Sequence, residues 1–190
     1  MNLAFTKTRS TIGIQAQPVS VEVHLSNGLP GFTMVGLPET AVKESKDRVR
    51  SAIINSQFEF PCRRITVNLG PADLPKTGSG FDLPIALGIL AASGQIPHKK
   101  LQNHEFIGER ALSGELRAVS AVIPVVLAAH KEGNILIIAS ANAAEAAIVG
   151  HQHVFTAHNL REVCSYFCQE TPLQTLPQRP ETLITDHELD

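Results

Sequence analysis

The alternation of apolar and polar residues has a period of two in the first third of the chain. The segments LAFTKT, TIGIQAQ and VSVEVHLS are rich in β-branched residues and place Val21, Val23 and Leu25 on one face. This pattern predicts three consecutive strands in an antiparallel meander. A break containing glycine and proline follows, and FTMVG after it predicts a further short strand.

The period becomes helical over residues 39–56, directly after Pro38, which occupies a position that suits the first turn of a helix. Val42, Val49 and Ile53 share one face of this predicted helix. Two i,i+4 pairs in the favourable order support it: Glu39 with Lys43, and Glu44 with Arg48.

RRITVNL predicts the clearest strand, and it leads into the proline- and glycine-rich loop GPADLPKTGSG. Asp82 follows as a predicted N-cap of the helix DLPIALGILAAS. Because this helix is apolar on nearly every side, we expect it at the centre of the fold.

The second half alternates strands and helices. HEFIGE, ALSG and ELRAV predict short strands, and NILIIAS and HVFTAH predict further strands between the helices VSAVIPVVLAAHKEG, ANAAEAAIV and NLREVCSYFCQE. This βαβ order predicts a parallel sheet, and the whole chain is predicted to be α/β of the α+β type. We expect one domain over residues 1–170, followed by a proline-rich linker over residues 171–190.

Composition excludes several classes of protein. The 190 residues carry 16 basic and 18 acidic side chains, so no large basic field covers the molecule and any DNA contact must be local. Three cysteines indicate a reducing compartment rather than a disulfide framework. Neither a signal peptide nor a membrane-spanning segment is evident, which predicts a cytoplasmic protein without a membrane partner.

The loop over residues 70–80 precedes a helix, as phosphate-binding loops do, but it does not match a P-loop. Lys76 and Thr77 come before Gly78 and Gly80 instead of after them, and Asp82 would repel a phosphate. A structural connection is the favoured interpretation.

Two further constellations have both a chemical and a structural interpretation. Ser79 near Lys76 suggests a serine hydrolase dyad, although a serine among glycines is more often a turn residue. The C-terminal part contains several residue types that bind zinc, but their spacing matches no zinc motif, and we predict no metal site among them: His151, His153, His158, Cys164 and Cys168.

Basic residues cluster near the first predicted helix. Lys43, Lys46 and Arg50 form one stripe, and Arg63 and Arg64 begin the next strand. These residues are the best candidates for phosphate contact. A solvated, salt-bridged face is the alternative that we favour, since acidic residues interleave with the stripe: Glu39, Glu44 and Asp47.

Three segments closely resemble the N-terminal region of the ComM/YifB family, the magnesium-chelatase-related AAA+ competence proteins. They are GLPGFTMVGLPETAVKESKDRVRSAI, RRITVNLGPADLPKTGSGFDLPIALGIL and GERALSGELRAV. The resemblance extends to about residue 165 and implies a ribosomal S5 domain 2-like fold, which is shared with the Lon proteolytic domain. The loop residues that carry the family motif are Gly70, Pro71, Asp73, Pro75, Lys76, Gly78, Ser79 and Gly80.

The Lon likeness implies no catalytic residue in this chain. PKTGSGFD is similar to the nucleophile segment of that protease, and the nucleophile position falls on Gly80, one residue after Ser79. The position of the catalytic lysine falls on Ile123, which cannot deprotonate a serine. A residual hydrolase that uses Ser79 with Lys76 remains the alternative.

For the parent protein, the resemblance implies an AAA+ motor that follows this domain, binds ATP and Mg²⁺ and assembles as a homo-hexamer. Such a ring would promote branch migration of DNA in natural transformation and homologous recombination. This chain is then expected to be a non-catalytic assembly domain without a cofactor, which helps to guide single-stranded or branched DNA. The expected phosphate contacts are Lys43, Lys46, Arg50, Arg63, Arg64 and Lys76.

Overall fold

A computed structural model describes residues 2–12, 14–150 and 153–178. The first half contains β1 (Leu3–Ile12), β2 (Gln15–Ser26), β3 (Gly31–Val35), α1 (Thr40–Lys43), α2 (Ser45–Asn55), β4 (Arg64–Gly70) and α3 (Asp82–Ala92). The second half contains β5 (His104–Ile107), β6 (Glu109–Arg110), β7 (Leu116–Arg117), α4 (Val122–Glu132), β8 (Ile135–Ala139), α5 (Ala143–Ala147), β9 (Val154–Ala157), α6 (Leu160–Gln169) and β10 (Gln174–Thr175).

The first sheet has the strand order β1-β2-β4-β3. β1 and β2 form a long antiparallel hairpin, β4 is antiparallel to β2, and β3 is parallel to β4. Val21, Val23 and Leu25 are all buried, as their alternation predicts. The predicted boundary between the first two strands is wrong. β1 continues past Thr11, and the segment TIGIQAQ contains the end of β1 and the start of β2.

The second sheet has the order β10-β9-β8-β5. β5, β8 and β9 are parallel, as predicted, and β10 is antiparallel to β9. β10 lies within the predicted linker, whose residues 179–190 fall outside the described part of the chain. The fold class is therefore mixed α/β of the α+β type, while the likeness to ribosomal S5 domain 2 and the domain boundary stay predictions.

A two-stranded ribbon, β6-β7, accompanies these sheets. The prediction of a strand at ALSG is wrong. Residues 111–114 form the turn between β6 and β7, in which the Gly114 amide donates to the Ala111 carbonyl. Gly114 has a φ of 96°, which favours glycine at this turn.

The predicted helix over residues 39–56 forms as two pieces, α1 and α2, separated at Glu44. Val42, Val49 and Ile53 are buried on one side, as predicted. Neither predicted i,i+4 pair is among the ion pairs of the described residues. Arg48 instead contacts Asp82, with Nε 2.8 Å from Oδ2.

All eleven residues of α3 are buried, which confirms its predicted central position. The prediction of Asp82 as an N-cap is wrong, since Phe81 holds that position and Asp82 is the first helical residue. Its carboxylate accepts hydrogen bonds from Arg48 and from the Arg110 amide. Burial raises the pKa of Asp82, and both partners oppose this rise by stabilising the ionised form.

Gly88 lets α3 approach β2 closely. A methyl group at Gly88 would lie 2.6 Å from Val23 Cγ2 and 3.8 Å from Thr6 Oγ1. Thr6 also donates a hydrogen bond to the Pro84 carbonyl, which joins β1 to the same helix. Helix and sheet therefore meet at a distance that only glycine permits here.

An ion-pair cluster links the two sheets. Arg9 of β1 donates to both oxygens of Glu105 on β5, at 2.7 and 3.0 Å, and also reaches Glu132 at the end of α4. Arg9 and Glu105 are both buried. Each buried charge thus has a counter-ion, and removal of either partner would leave the other uncompensated.

His104 lies in an aromatic cluster at the start of β5. Its ring is 4.9 Å from the Phe167 ring and 5.6 Å from the Tyr166 ring, and its Nε2 is 3.1 Å from the Tyr166 hydroxyl. Burial lowers the pKa of His104 to about 4. The neutral imidazole is therefore the form that the fold accepts.

Among the described residues, no helix has the length and apolar character to cross a membrane.

Gly88→Val is expected to reduce the free energy of unfolding by about 2 kcal/mol, because added methyl groups would collide with Val23. Urea unfolding followed by circular dichroism measures this change. Gly31→Val is the matched control, since nothing lies within 4 Å of a methyl group at Gly31. Equal stability of the two variants would contradict close packing at Gly88.

The buried His104 predicts that stability falls as the pH drops from 6.5 to about 4, the interval between its ordinary and folded pKa values. In this interval the unfolded chain binds a proton that the folded chain excludes, at a cost of up to about 3 kcal/mol. Urea midpoints across this range should decline less for His104→Phe than for the wild type. Parallel declines would show that His104 does not contribute.

Candidate nucleic-acid interface

A groove of about 800 Å³ lies between β3, α2 and the segment that precedes β4. Its walls combine cationic and aromatic side chains with one thiol: Phe32, Lys46, Arg50, Phe60, Cys62 and Arg63. Asp47 and Glu59 also line it. The groove thus gathers three of the six predicted phosphate contacts at one place, with two acidic residues beside them.

Each helical cation of the groove lies over an aromatic ring. Lys46 Nζ is 5.9 Å from the centre of the Phe32 ring, and Arg50 Cζ is 5.5 Å from the centre of the Phe60 ring. The two rings are 6.2 Å apart with an angle of 18° between their planes. Attraction between a cation and an aromatic face holds both charges at the groove surface.

Two asparagine side chains hold the third groove cation, Arg63. Its Nη1 donates to Asn2 Oδ1 at 2.8 Å, and its Nη2 contacts Asn27 Oδ1 at 3.4 Å. Neutral amides leave the positive charge of the guanidinium uncompensated. Arg63 is therefore an oriented cation and not half of an ion pair.

The position of α2 places Lys46 and Arg50 at the groove. Val49 faces the core between them, and Arg48 connects the helix to Asp82. The Arg48 guanidinium also donates to the Ala41 carbonyl, which fixes α1 against α2. The inner side chains of α2 thus anchor the helix, and its outer ones remain available to a ligand.

The other predicted contacts lie elsewhere. Lys43 and Arg64 are exposed but do not line the groove, because the break at Glu44 separates Lys43 from the stripe on α2. Lys76 is fully buried, which corrects the prediction that it contacts DNA. Its ammonium donates to the Pro71 carbonyl, and burial lowers its pKa, with Asp73 acting in the opposite direction.

The family-motif loop, residues 70–80, is a tightly anchored connection. Lys76 exchanges backbone hydrogen bonds with the segment before α1, donating to Leu37 and accepting from Glu39. The Thr77 amide donates to Ser10 Oγ at 3.0 Å, and the Thr77 hydroxyl donates to the Thr11 carbonyl at 2.8 Å. These contacts favour the structural interpretation of the loop over a phosphate cradle.

The structure does not bring the side chains of the proposed hydrolase dyad together. Lys76 bonds to Pro71, and no hydrogen bond joins it to Ser79 in the part of the chain that the structure describes. At Gly80, the position that resembles the protease nucleophile, a methyl group would lie 2.2 Å from Ile107 Cγ1. A side chain at this position therefore fits only if Ile107 shifts.

The histidines and cysteines do not converge either. Cys164 is buried, and burial raises its pKa to about 12, whereas Cys168 is exposed. His158 bonds to Glu162, and His151 lies outside the described residues. Within the described ranges, no group of three or more histidine, cysteine or acidic side chains is arranged to hold a metal ion.

Sequence reasoning missed the aromatic part of the groove. Phe32 and Phe60 are 28 positions apart in sequence, and only the parallel pairing of β3 with β4 brings their segments together. The signal that was present is the alternation FEF over residues 58–60, three residues before Arg63. Alternating aromatics beside arginines are typical of surfaces that stack on bases.

The fold and the groove define a mixed α/β domain with a locally cationic surface. The family described as Subunit ChlI of Mg-chelatase matches residues 21–142, which is more than half of the chain. This chain therefore belongs to that family.

The similar proteins place the chain within this family more closely. Competence protein ComM of Haemophilus influenzae is 54% identical to it over 177 residues, which are 92% of this chain and 35% of that protein. The YifB proteins of Salmonella typhimurium and Escherichia coli are 52% and 50% identical over 166 residues, 87% of this chain and 33% of each protein. These similarities confirm the resemblance to the N-terminal region of the ComM/YifB proteins. The chain spans about a third of the length of these relatives.

Gly80→Ser is expected to destabilise the protein by about 2 kcal/mol, because its Cβ would overlap Ile107. A double-mutant cycle of unfolding free energies with Ile107→Ala measures the coupling, and the smaller residue at 107 should offset about 1 kcal/mol of the cost. Additive effects of the two substitutions would show that this contact does not exclude a side chain.

Proposed function

We propose that this chain is a non-catalytic accessory domain of a ComM-like AAA+ protein and that it binds DNA along the groove between α2 and β3. The observation that carries the proposal is the arrangement of Lys46 and Arg50 on two neighbouring phenylalanine rings, with Arg63 oriented towards the same groove. Cations attract the phosphate backbone, and planar apolar groups suit unstacked bases.

The charge distribution supports a local contact. The formal net charge of the chain is −2, so the molecule as a whole does not attract a polyanion. At the groove the three cations outnumber Asp47 and Glu59. Because Lys46 and Arg50 take part in no ion pair of the described residues, their charges remain available to phosphates.

In the parent protein, the proposal gives this domain a supporting position. ATP and Mg²⁺ would act in an AAA+ motor outside this chain, and copies of the domain would stack on a homo-hexameric ring that promotes branch migration. Single-stranded or branched DNA would then be guided along the grooves. The name of the Haemophilus influenzae relative, competence protein, is consistent with a role in the handling of incoming DNA.

Fluorescence anisotropy with labelled single-stranded and branched DNA tests the groove directly. The triple variant Lys46→Ala, Arg50→Ala and Arg63→Ala is expected to lose at least about tenfold in affinity at low salt. The slope of log affinity against log salt should also decrease by about 0.7 for each lost phosphate contact.

The matched control removes three exposed cations elsewhere, through Lys99→Ala, Arg117→Ala and Lys131→Ala. It changes the net charge equally and should bind within about twofold of the wild type. Equal losses in both variants, or no binding by the wild type at tens of micromolar, would overturn the proposal. Polyglutamate that competes as well as DNA would assign the groove to an acidic protein segment instead.

A further inference from the structure

We propose that Arg50, supported by Phe60, is the residue on which an unpaired base stacks, so that the groove selects single strands over duplex DNA. This inference rests on the proposed function, because it assigns a specificity-determining residue within the same groove. It concerns what the groove recognises beyond phosphate charge.

The three arginines near the groove differ in how their donors are used. Arg48 donates to Asp82 and to the Ala41 carbonyl, and Arg63 donates to Asn2 and Asn27. Arg50 makes no hydrogen bond or ion pair within the described residues, and it contacts the Phe60 ring. Arg50 is thus the arginine whose donors are all available to a ligand.

The shape of the guanidinium matters here. It is planar and weakly hydrated, and one of its faces can rest on an aromatic ring while the other receives a second flat group. Arg50 is exposed, and its Cζ lies 5.5 Å from the centre of the Phe60 ring, so the guanidinium contacts both the ring and solvent. Contact with Phe60 restricts the Arg50 side chain before a ligand arrives, which reduces the entropy lost on binding.

Lys46 provides a comparison on the same helix. Its ammonium is a point charge over Phe32, without a planar surface. Lys46 therefore attracts phosphate, whereas Arg50 adds a flat platform four residues further along α2. A base in a duplex is already stacked on both faces, so only an unpaired base can use this platform.

The key experiment compares two oligonucleotides of equal length and phosphate number, oligo-dT and a fully abasic strand, together with a duplex. Wild-type protein is expected to bind oligo-dT at least about fivefold more tightly than the abasic strand. Arg50→Lys keeps the charge but removes the plane, and it should bring the affinity for oligo-dT down to that for the abasic strand. Its affinity for the abasic strand and its salt slope should stay unchanged.

Arg63→Lys is the control for a charge-conserving change in the same groove. Asn2 and Asn27 already hold the edge of Arg63, so this variant should keep the ratio between oligo-dT and abasic affinities. If Arg50→Lys also keeps the ratio, or if wild-type protein does not discriminate between the two strands, the stacking role of Arg50 is wrong.

Cys62 separates this outcome from failure of the proposed function. It is exposed and lines the groove, whereas Cys168 is exposed on α6, away from the groove. Bound oligo-dT should slow alkylation of Cys62 by iodoacetamide, measured by peptide mass spectrometry, and leave Cys168 unaffected. Binding without protection of Cys62 would place DNA outside the groove and overturn both proposals. Protection of Cys62 with an unchanged ratio in Arg50→Lys would overturn only the role of Arg50.

Discussion

A helix that is buried on every side determines the organisation of this domain. No face of α3 tolerates water, so the chain must cover it with the first sheet, with α2 and with strands of the second half. Gly88 sets how closely the first sheet approaches. Asp82 brings a charge into the same interior, and its partners Arg48 and Arg110 come from two different elements. Packing and charge compensation thus impose the same arrangement.

The groove is a consequence of that arrangement. Arg48 joins α2 to the start of α3, and the buried Val49 holds the adjoining face. Lys46 and Arg50 are therefore presented outwards on a helix whose inner side is fixed. Parallel pairing of β3 with β4 brings Phe32 and Phe60 together next to these cations. A rigid helix above a sheet edge holds these side chains more firmly than a loop would.

Local periodicity was enough to predict most elements, because burial of one face depends on residues that are close in sequence. The strand alternation of Val21, Val23 and Leu25 and the apolar helix α3 are examples. Predictions failed where a distant partner decides the outcome. Arg48 prefers Asp82, 34 positions away, to its helical neighbour, and burial of Lys76 depends on how the loop folds against β1. The groove was only half predictable, since two of its three cations lie on one helix but its rings come from two segments.

The crowding at Gly80 constrains how this fold can change over time. A side chain at that position collides with Ile107, the last residue of β5. Either substitution alone lowers stability, because a serine at position 80 overlaps Ile107 and a smaller residue at position 107 leaves a cavity. The two substitutions are thus epistatic, because each one reduces the cost of the other. A mutational path that places a serine at position 80 therefore passes through a state of lower stability, whichever substitution comes first.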